Sequence, residues 1–352
     1  MSSERIAFLD GVKGFGILSI VLGHVFIPGW NDFLFLYHLP IFFLLAGYFT
    51  NTRRTYGAFA KQKARRLLLP YAVTAALIVL FSVPKALVEH APLAGTVIWW
   101  AKAALFGVGV VPEVPLRMES IGAIWFLWAL FWGSLALRGL IATEYRYFRL
   151  AGVLALFLAA VISVRSLFLP LSIQPAMAAL LWMYVGWLVR QAKVLLDRQV
   201  EEGTEYGDWY RAYGPAAFGV LYVVCWAVYL YAAFHYENFY MVFAQFDGGM
   251  LGIVGSFAAS YVVFATIRFL YRYRDRWAKP FCAALDWLGR NSLLLLCMHI
   301  IEQDLIPWKD WFAPLGSGAA FYTAVFFAKL AFTLLAALAV SKTPGVRRIF
   351  EG

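Results

Sequence analysis

Charge is what this sequence has least of. Only 14% of its 352 residues are Asp, Glu, Lys or Arg, where a soluble chain carries about 25%. The shortage runs the whole length, which excludes a soluble domain held by a single anchor. Cysteine is scarce as well. Cys225, Cys282 and Cys297 lie in or beside apolar runs at no ligand spacing, so neither a disulfide framework nor a zinc site is expected, and no other metal site is read. Internal repeats and low-complexity segments are missing. So is a small-x-small cleavage site after the first apolar run, which is therefore expected to remain as a helix. A single domain, residues 1–352, is expected.

Hydrophobic residues, by contrast, make up 62% of the chain and aromatic residues 18%. Apolar runs of about 18–25 residues separated by short charged loops are what a bilayer core of about 30 Å requires. They predict an all-α integral membrane protein of about ten transmembrane helices, with the lipid bilayer as its solvent. The expected spans are 8–27, 33–50, 68–88, 121–139, 149–168, 173–190, 214–234, 248–270, 284–303 and 318–340. A charged insert, 191–213, is the one soluble-looking stretch. The formal charge of +10 does not point to nucleic acid, because the basic residues sit in loops where topology explains them. With the N-terminus inside, 22 of the 30 Lys and Arg, beginning with Arg5, fall on inner segments and 5 on outer ones. Both termini are therefore expected to be cytoplasmic. The apolar segment 95–111 would move 15 of those inner residues outside if it spanned, so it is expected to be re-entrant or interfacial. The outer loops carry Asp32, Glu89, Glu113, Glu119, Glu237, Asp247, Glu302, Asp304 and Asp310, for most of which plain solvation is the expectation, while Glu302 and Asp304 with Trp308 and Trp311 are permissive of a sugar site.

Ionisable residues within a bilayer point to function by default. The first span holds Asp10, Lys13 and His24. Lys13 and His24 are 11 residues apart, about 20° beyond three full turns, so they share a face about 16 Å long. Asp10 is three residues before Lys13 and within its reach. Gly14, Gly16 and Gly23 allow a neighbouring helix or ligand to come close. His38 opens the second span and is expected near His24, where two imidazoles make an acid/base site. Asp286 and Arg290 have the order and spacing of a helical ion pair. Lys329 lies in mid-span and requires a partner that the sequence does not identify.

Several of these residues stand in motifs. Arg5, Leu9-Asp10, Lys13-Gly14 and Gly23-His24 come first. Then follow Tyr37-His38-Leu39-Pro40-Ile41-Phe42-Phe43 with Ala46-Gly47-Tyr48-Phe49, and Arg65-Arg66-Leu67-Leu68-Leu69-Pro70-Tyr71. Trp125-Phe126-Leu127 and Gly289-Arg290-Asn291-Ser292-Leu293, trailed by His299, complete the set. In this order the elements resemble acyltransferase family 3, the multi-helix membrane O-acyltransferases. The resemblance implies that Lys13 and His24 are the family's basic residue and key histidine. It also implies an Arg-x-x-Arg element, for which this chain has Lys63-x-x-Arg66 and Gln62-x-x-Arg65, leaving open which basic residue does the work. Some relatives carry a further hydrolase-like domain. Since the sequence ends at Gly352, transfer is expected to finish in the membrane core or on another protein.

The resemblance implies acyl transfer in a bacterial inner membrane, from acyl-CoA to a hydroxyl of a glycan or glycolipid. Acetyl-CoA is the expected donor, although succinyl and longer acyl groups fit too. It is a co-substrate, and no permanently bound cofactor is expected. Arg53, Arg54, Lys63, Arg65 and Arg66 are the expected acyl-CoA phosphate contacts. Trp125, Glu119 and His299 are expected on the acceptor side. His24 is expected to be the general base, worth about 10²–10⁴-fold in rate, or an acyl relay. His38 would orient it or stabilise an oxyanion. A small-molecule or polysaccharide-precursor transporter is the alternative, and a homodimer is compatible with the sequence.

Overall fold

The computed structural model describes residues 7–236 and 239–350. Arg5 and Glu237 lie outside them, as does the side chain of Arg347. The helices are α1 (Ala7–Gly23), α2 (Asn31–Phe35), α3 (Pro40–Tyr48), α4 (Tyr56–Lys63), α5 (Leu69–Val88), α6 (Leu93–Phe106), α7 (Trp125–Ile141) and α8 (Arg146–Ser163). After them come α9 (Ile173–Glu201), α10 (Glu205–His235), α11 (Gly249–Tyr271), α12 (Lys279–Arg290), α13 (Ser292–Leu305), α14 (Trp308–Phe312), α15 (Ala319–Ser341) and α16 (Pro344–Phe350). A short antiparallel ribbon pairs Phe239–Tyr240 with Gln245–Phe246. The chain is an all-α membrane protein.

Among the described residues, eight helical stretches are long and apolar enough to cross a membrane, or nine if the bent pair α12–α13 counts as one. Each overlaps an expected span. The remaining expected span, 8–27, contains α1, which has 17 residues and is about 25 Å long. The segment read as re-entrant or interfacial contains α6, whose 14 residues reach only about 21 Å. The Tyr71 hydroxyl ties α6 to α5 by donating to the Ala104 carbonyl at 2.6 Å.

Three boundaries differ from expectation, each for a local reason. The span expected at 68–88 begins at Tyr56. Thr55 caps α4 by accepting from the Ala58 amide. Pro70 has no amide hydrogen for the preceding turn and crowds it, and Ala64–Leu68 widens into a π-helical turn there. The basic residues Lys61, Lys63, Arg65 and Arg66 are thus on a helix rather than in a loop. The insert at 191–213 is mostly helix as well. Helix α9 runs on through good helix formers, aided by the Lys193–Asp197 pair, and Thr204 accepts from the Gly207 amide to start α10.

The third difference shapes the site. The span expected at 284–303 is broken, with α12 and α13 inclined by 74°. The Asn291 side chain donates to the Trp287 carbonyl at 2.8 Å at the break. The expected Asp286–Arg290 ion pair does not form. Asp286 accepts from the Tyr271 hydroxyl at 2.6 Å, and the Arg290 Nε donates to the Asp286 backbone carbonyl at 3.0 Å.

Small residues set two crossings. Helix α1 packs chiefly on α12. A Cβ on Gly289 would collide with the Asp10 carbonyl, and one on Gly14 with the Leu285 carbonyl. Helix α3 meets α9 the same way, Gly47 against the Met183 carbonyl and Gly186 against the Leu44 carbonyl. Between lipid-solvated helices such close approach supplies the packing that apolar burial cannot.

Candidate active site

His24 stands one residue beyond α1, its amide still donating to the Ile20 carbonyl at 3.1 Å. The Asn31 side chain donates to the Gly23 carbonyl at 3.2 Å, closing a group the helix end leaves free. Past the break, α13 brings its C-terminal half to this end of α1. His299 and Glu302, three apart and therefore on one face, point the same way.

The result is a hydrogen-bonded chain. His24 Nδ1 lies 3.0 Å from His299 Nε2, and His299 Nδ1 lies 2.7 Å from Glu302 Oε1. Lys329 donates to both Glu302 oxygens, at 3.2 and 3.4 Å, and the Trp308 indole donates to Oε2. His299 and Glu302 have no exposed surface and Lys329 has 4%, while His24 keeps part of its surface open. The partner that Lys329 required is Glu302, one of the acids expected in the outer loops.

This bonding orders the protons. A carboxylate only accepts, so His299 Nδ1 carries the hydrogen it donates to Glu302. Lys329 already balances the Glu302 charge. A second proton on His299 would leave net charge in a dry interior, so His299 is neutral and its Nε2 accepts. His24 Nδ1 is then the donor, and His24 Nε2 keeps its lone pair. The chain holds one imidazole nitrogen as a base and locks the other, a arrangement of the same logic as a triad.

Other expected site residues are placed as follows. His38 is buried, its Nδ1 donating to the Leu34 carbonyl at 2.9 Å and its ring tilted over Phe35. The imidazole bonded to His24 is therefore that of His299. Asp10 and Lys13 form an ion pair of 3.0 Å at the far end of α1, with the Lys13 ammonium 5.7 Å from the Phe49 ring centre. Trp125 is buried against Gly109 and Phe126, and Glu119 is partly exposed on the approach to α7.

The basic cluster gathers near the Lys13 end of the molecule. Arg53, Arg54, Arg65 and Arg66 are exposed, and the half-buried Lys63 holds its ammonium 5.5 Å from the Phe59 ring centre. Two arginines from other helices pin the loop that carries Arg53 and Arg54. Arg138 donates to the carbonyls of Thr52 and Arg54 at 3.2 Å, and Arg190 to those of Tyr48 and Thr50 at 3.2 and 3.4 Å.

A second residue from the outer-loop acids, Asp304, stands at the His24 end. The Asp304 carboxylate lies against Gly122, whose φ of +68° and lack of a Cβ admit it. Among the described residues its Oδ2 is buried without a hydrogen-bond partner, and Lys85 donates to its backbone carbonyl at 3.0 Å.

No curated protein and no solved structure matches this chain. The family model described as an acyltransferase domain matches residues 6–342, nearly the whole length, and spans α1 with His24, the α12–α13 break and Lys329. The chain belongs to acyltransferase family 3 and is a membrane acyltransferase.

Proposed function

We propose that this protein is an O-acetyltransferase of the bacterial inner membrane that moves acetyl from cytosolic acetyl-CoA to a hydroxyl of a glycan or glycolipid. The observation that carries the reading is the His24–His299–Glu302 chain, which leaves a basic nitrogen at one end of α1 while the exposed arginines cluster near the other. The Lys13 end faces the cytoplasm, where acyl-CoA is made and where the positive-inside rule puts the basic loops. Arg53, Arg54, Lys63, Arg65 and Arg66 hold the CoA phosphates. An extended pantetheine arm is long enough to follow the α1 face from Lys13 to His24, about 16 Å.

At the far end His24 Nε2 takes the proton from the acceptor hydroxyl. The oxygen attacks the thioester carbonyl, the C–S bond breaks, and the CoA thiolate receives the proton from His24. As His24 becomes positive, its Nδ1 proton leans toward His299, and His299 in turn toward Glu302. The chain thereby stabilises charge that exists only during reaction. Trp125 and Glu119 lie toward the acceptor side in this reading. Family membership favours acyl transfer over a transport role.

The test is acetyl-CoA binding and thioester turnover by purified protein, wild type beside His24→Ala and Arg65→Ala/Arg66→Ala. Turnover falls at least about 10²-fold in the histidine variant with binding intact, and binding weakens in the arginine variant. Robust turnover by a well-folded His24→Ala protein would sink the assignment. Rapid quenching with labelled acetyl-CoA separates direct transfer from an acyl-His24 relay, which alone leaves label on the protein.

A further inference from the structure

Just beyond His24 the backbone turns sharply. Phe26 has φ of +58°, a left-handed conformation that a bulky residue rarely adopts. It is 52% exposed, yet its ring sets an edge against His24, with centroids 6.1 Å apart at 70°. The Lys309 ammonium rests 5.2 Å from the centre of the same ring. Lys309 is exposed and has no carboxylate partner among the described residues. Its neighbour Asp310 is exposed as well, and Trp308, immediately before it, donates to Glu302. A single strained turn and a single lysine therefore stand over the reactive histidine, and the lysine is joined through one residue to the buried chain beneath.

We infer that Lys309 is a binding site for an anionic group, carboxylate or phosphate, on the acceptor, and that its engagement lifts Phe26 from His24. The inference rests on the acyl-transfer reading and adds the chemical class of the acceptor to it. An exposed cation–π contact is weaker than a charge-assisted hydrogen bond to carboxylate or phosphate, so an anion draws the ammonium off the ring. Phe26, no longer weighted by Lys309, then turns out of the way. The exposed rings of Trp30 and Trp311, 56% and 61% accessible, offer apolar faces for the rest of a saccharide. Without acceptor, Phe26 keeps water from a thioester at His24. Water attacking that carbonyl would release acetate and CoA and waste the donor.

Acetyl-CoA hydrolysis by the full chain in neutral detergent tests this with small probes: glucose, glucuronate and glucose 6-phosphate. Wild type, Phe26→Ala and Lys309→Met are compared. Glucuronate and glucose 6-phosphate are expected to change the wild-type rate with half-effects at concentrations about tenfold below that of glucose, the worth of one charge-assisted contact. Lys309→Met removes that preference. Phe26→Ala raises acceptor-free hydrolysis several-fold. Equal responses to glucose and glucuronate, or a preference that survives in Lys309→Met, overturns the inference. Repeating the assay in phosphatidylcholine vesicles with and without phosphatidylglycerol separates acceptor from lipid. A Lys309-dependent effect of phosphatidylglycerol that sugars do not reproduce assigns the anion to the bilayer and overturns the acceptor role. If wild-type protein turns over no acetyl-CoA at all, the acyl-transfer reading itself fails. If it turns over acetyl-CoA without charge preference, only the present inference fails.

Discussion

The two ends of this molecule hold charge in opposite ways. At the Lys13 end the basic side chains of Arg53, Arg54, Arg65 and Arg66 are exposed and free to meet a ligand. At the His24 end the charged pair Glu302–Lys329 is buried and its carboxylate takes hydrogen bonds from three side chains. Exposed charges are individually weak, screened by salt and tolerant of change. Buried ones are coupled, so removing a single member damages the whole group. The first end is suited to gathering a polyanion from water, and the second to holding one nitrogen in one state.

Substitutions should separate the ends sharply. The largest effect is expected from Glu302→Leu, which strands Lys329 as a buried charge and costs about 3–5 kcal/mol of stability along with turnover. The double variant Glu302→Leu/Lys329→Met regains most of the stability and none of the turnover. Thermal unfolding in detergent checks this, and equal losses in both proteins would contradict the coupling. His299→Gln is expected to lower turnover by about 10²-fold or more through the lost alignment of His24, with acetyl-CoA affinity unchanged. A rate near wild type would show that His24 needs no relay.

Where α12 crosses α1, Gly289→Val pushes α12 off the Asp10 carbonyl and is expected to cost about 1–3 kcal/mol, visible as a lowered unfolding midpoint. Arg65→Ala/Arg66→Ala is expected to raise the acetyl-CoA KM about tenfold with kcat unchanged, an effect that shrinks in high salt. The smallest response belongs to Lys193→Ala. Its ion pair with Asp197 is about half exposed on both sides, so stability stays within about 0.5 kcal/mol. A larger loss there would undo the distinction between exposed and buried charge.

Much of the fold was legible because the bilayer imposes a simple rule on sequence. Apolar length marked the helices, and Gly14 marked a close approach by a neighbour. The errors have local causes. Hydropathy reports apolar length and says nothing of a bend, so the α12–α13 break passed as one span. The charged end of α9 looked like a loop because charge was read ahead of helix propensity. Glu302 was read with the outer acids because it lies five residues before Pro307 in a stretch that includes Asp304 and Asp310. Two signals could have found it. His299-x-x-Glu302 places both groups on one helical face, and an unpaired lysine in mid-span demands a carboxylate somewhere in the membrane.

By itself the sequence determined the solvent, the apolar segments and the residue types that can do chemistry, since each follows from local composition and spacing. Only the tertiary structure decided which imidazole meets His24, which carboxylate neutralises Lys329, and which nitrogen keeps its lone pair. Those answers depend on a 74° break that carries residues from 275 positions away in the chain into hydrogen-bond distance. No spacing along the chain encodes that meeting. It arises because Gly289 lets α12 lie against α1, and because a buried ion pair holds its place only where the surrounding helices complete its hydrogen bonds.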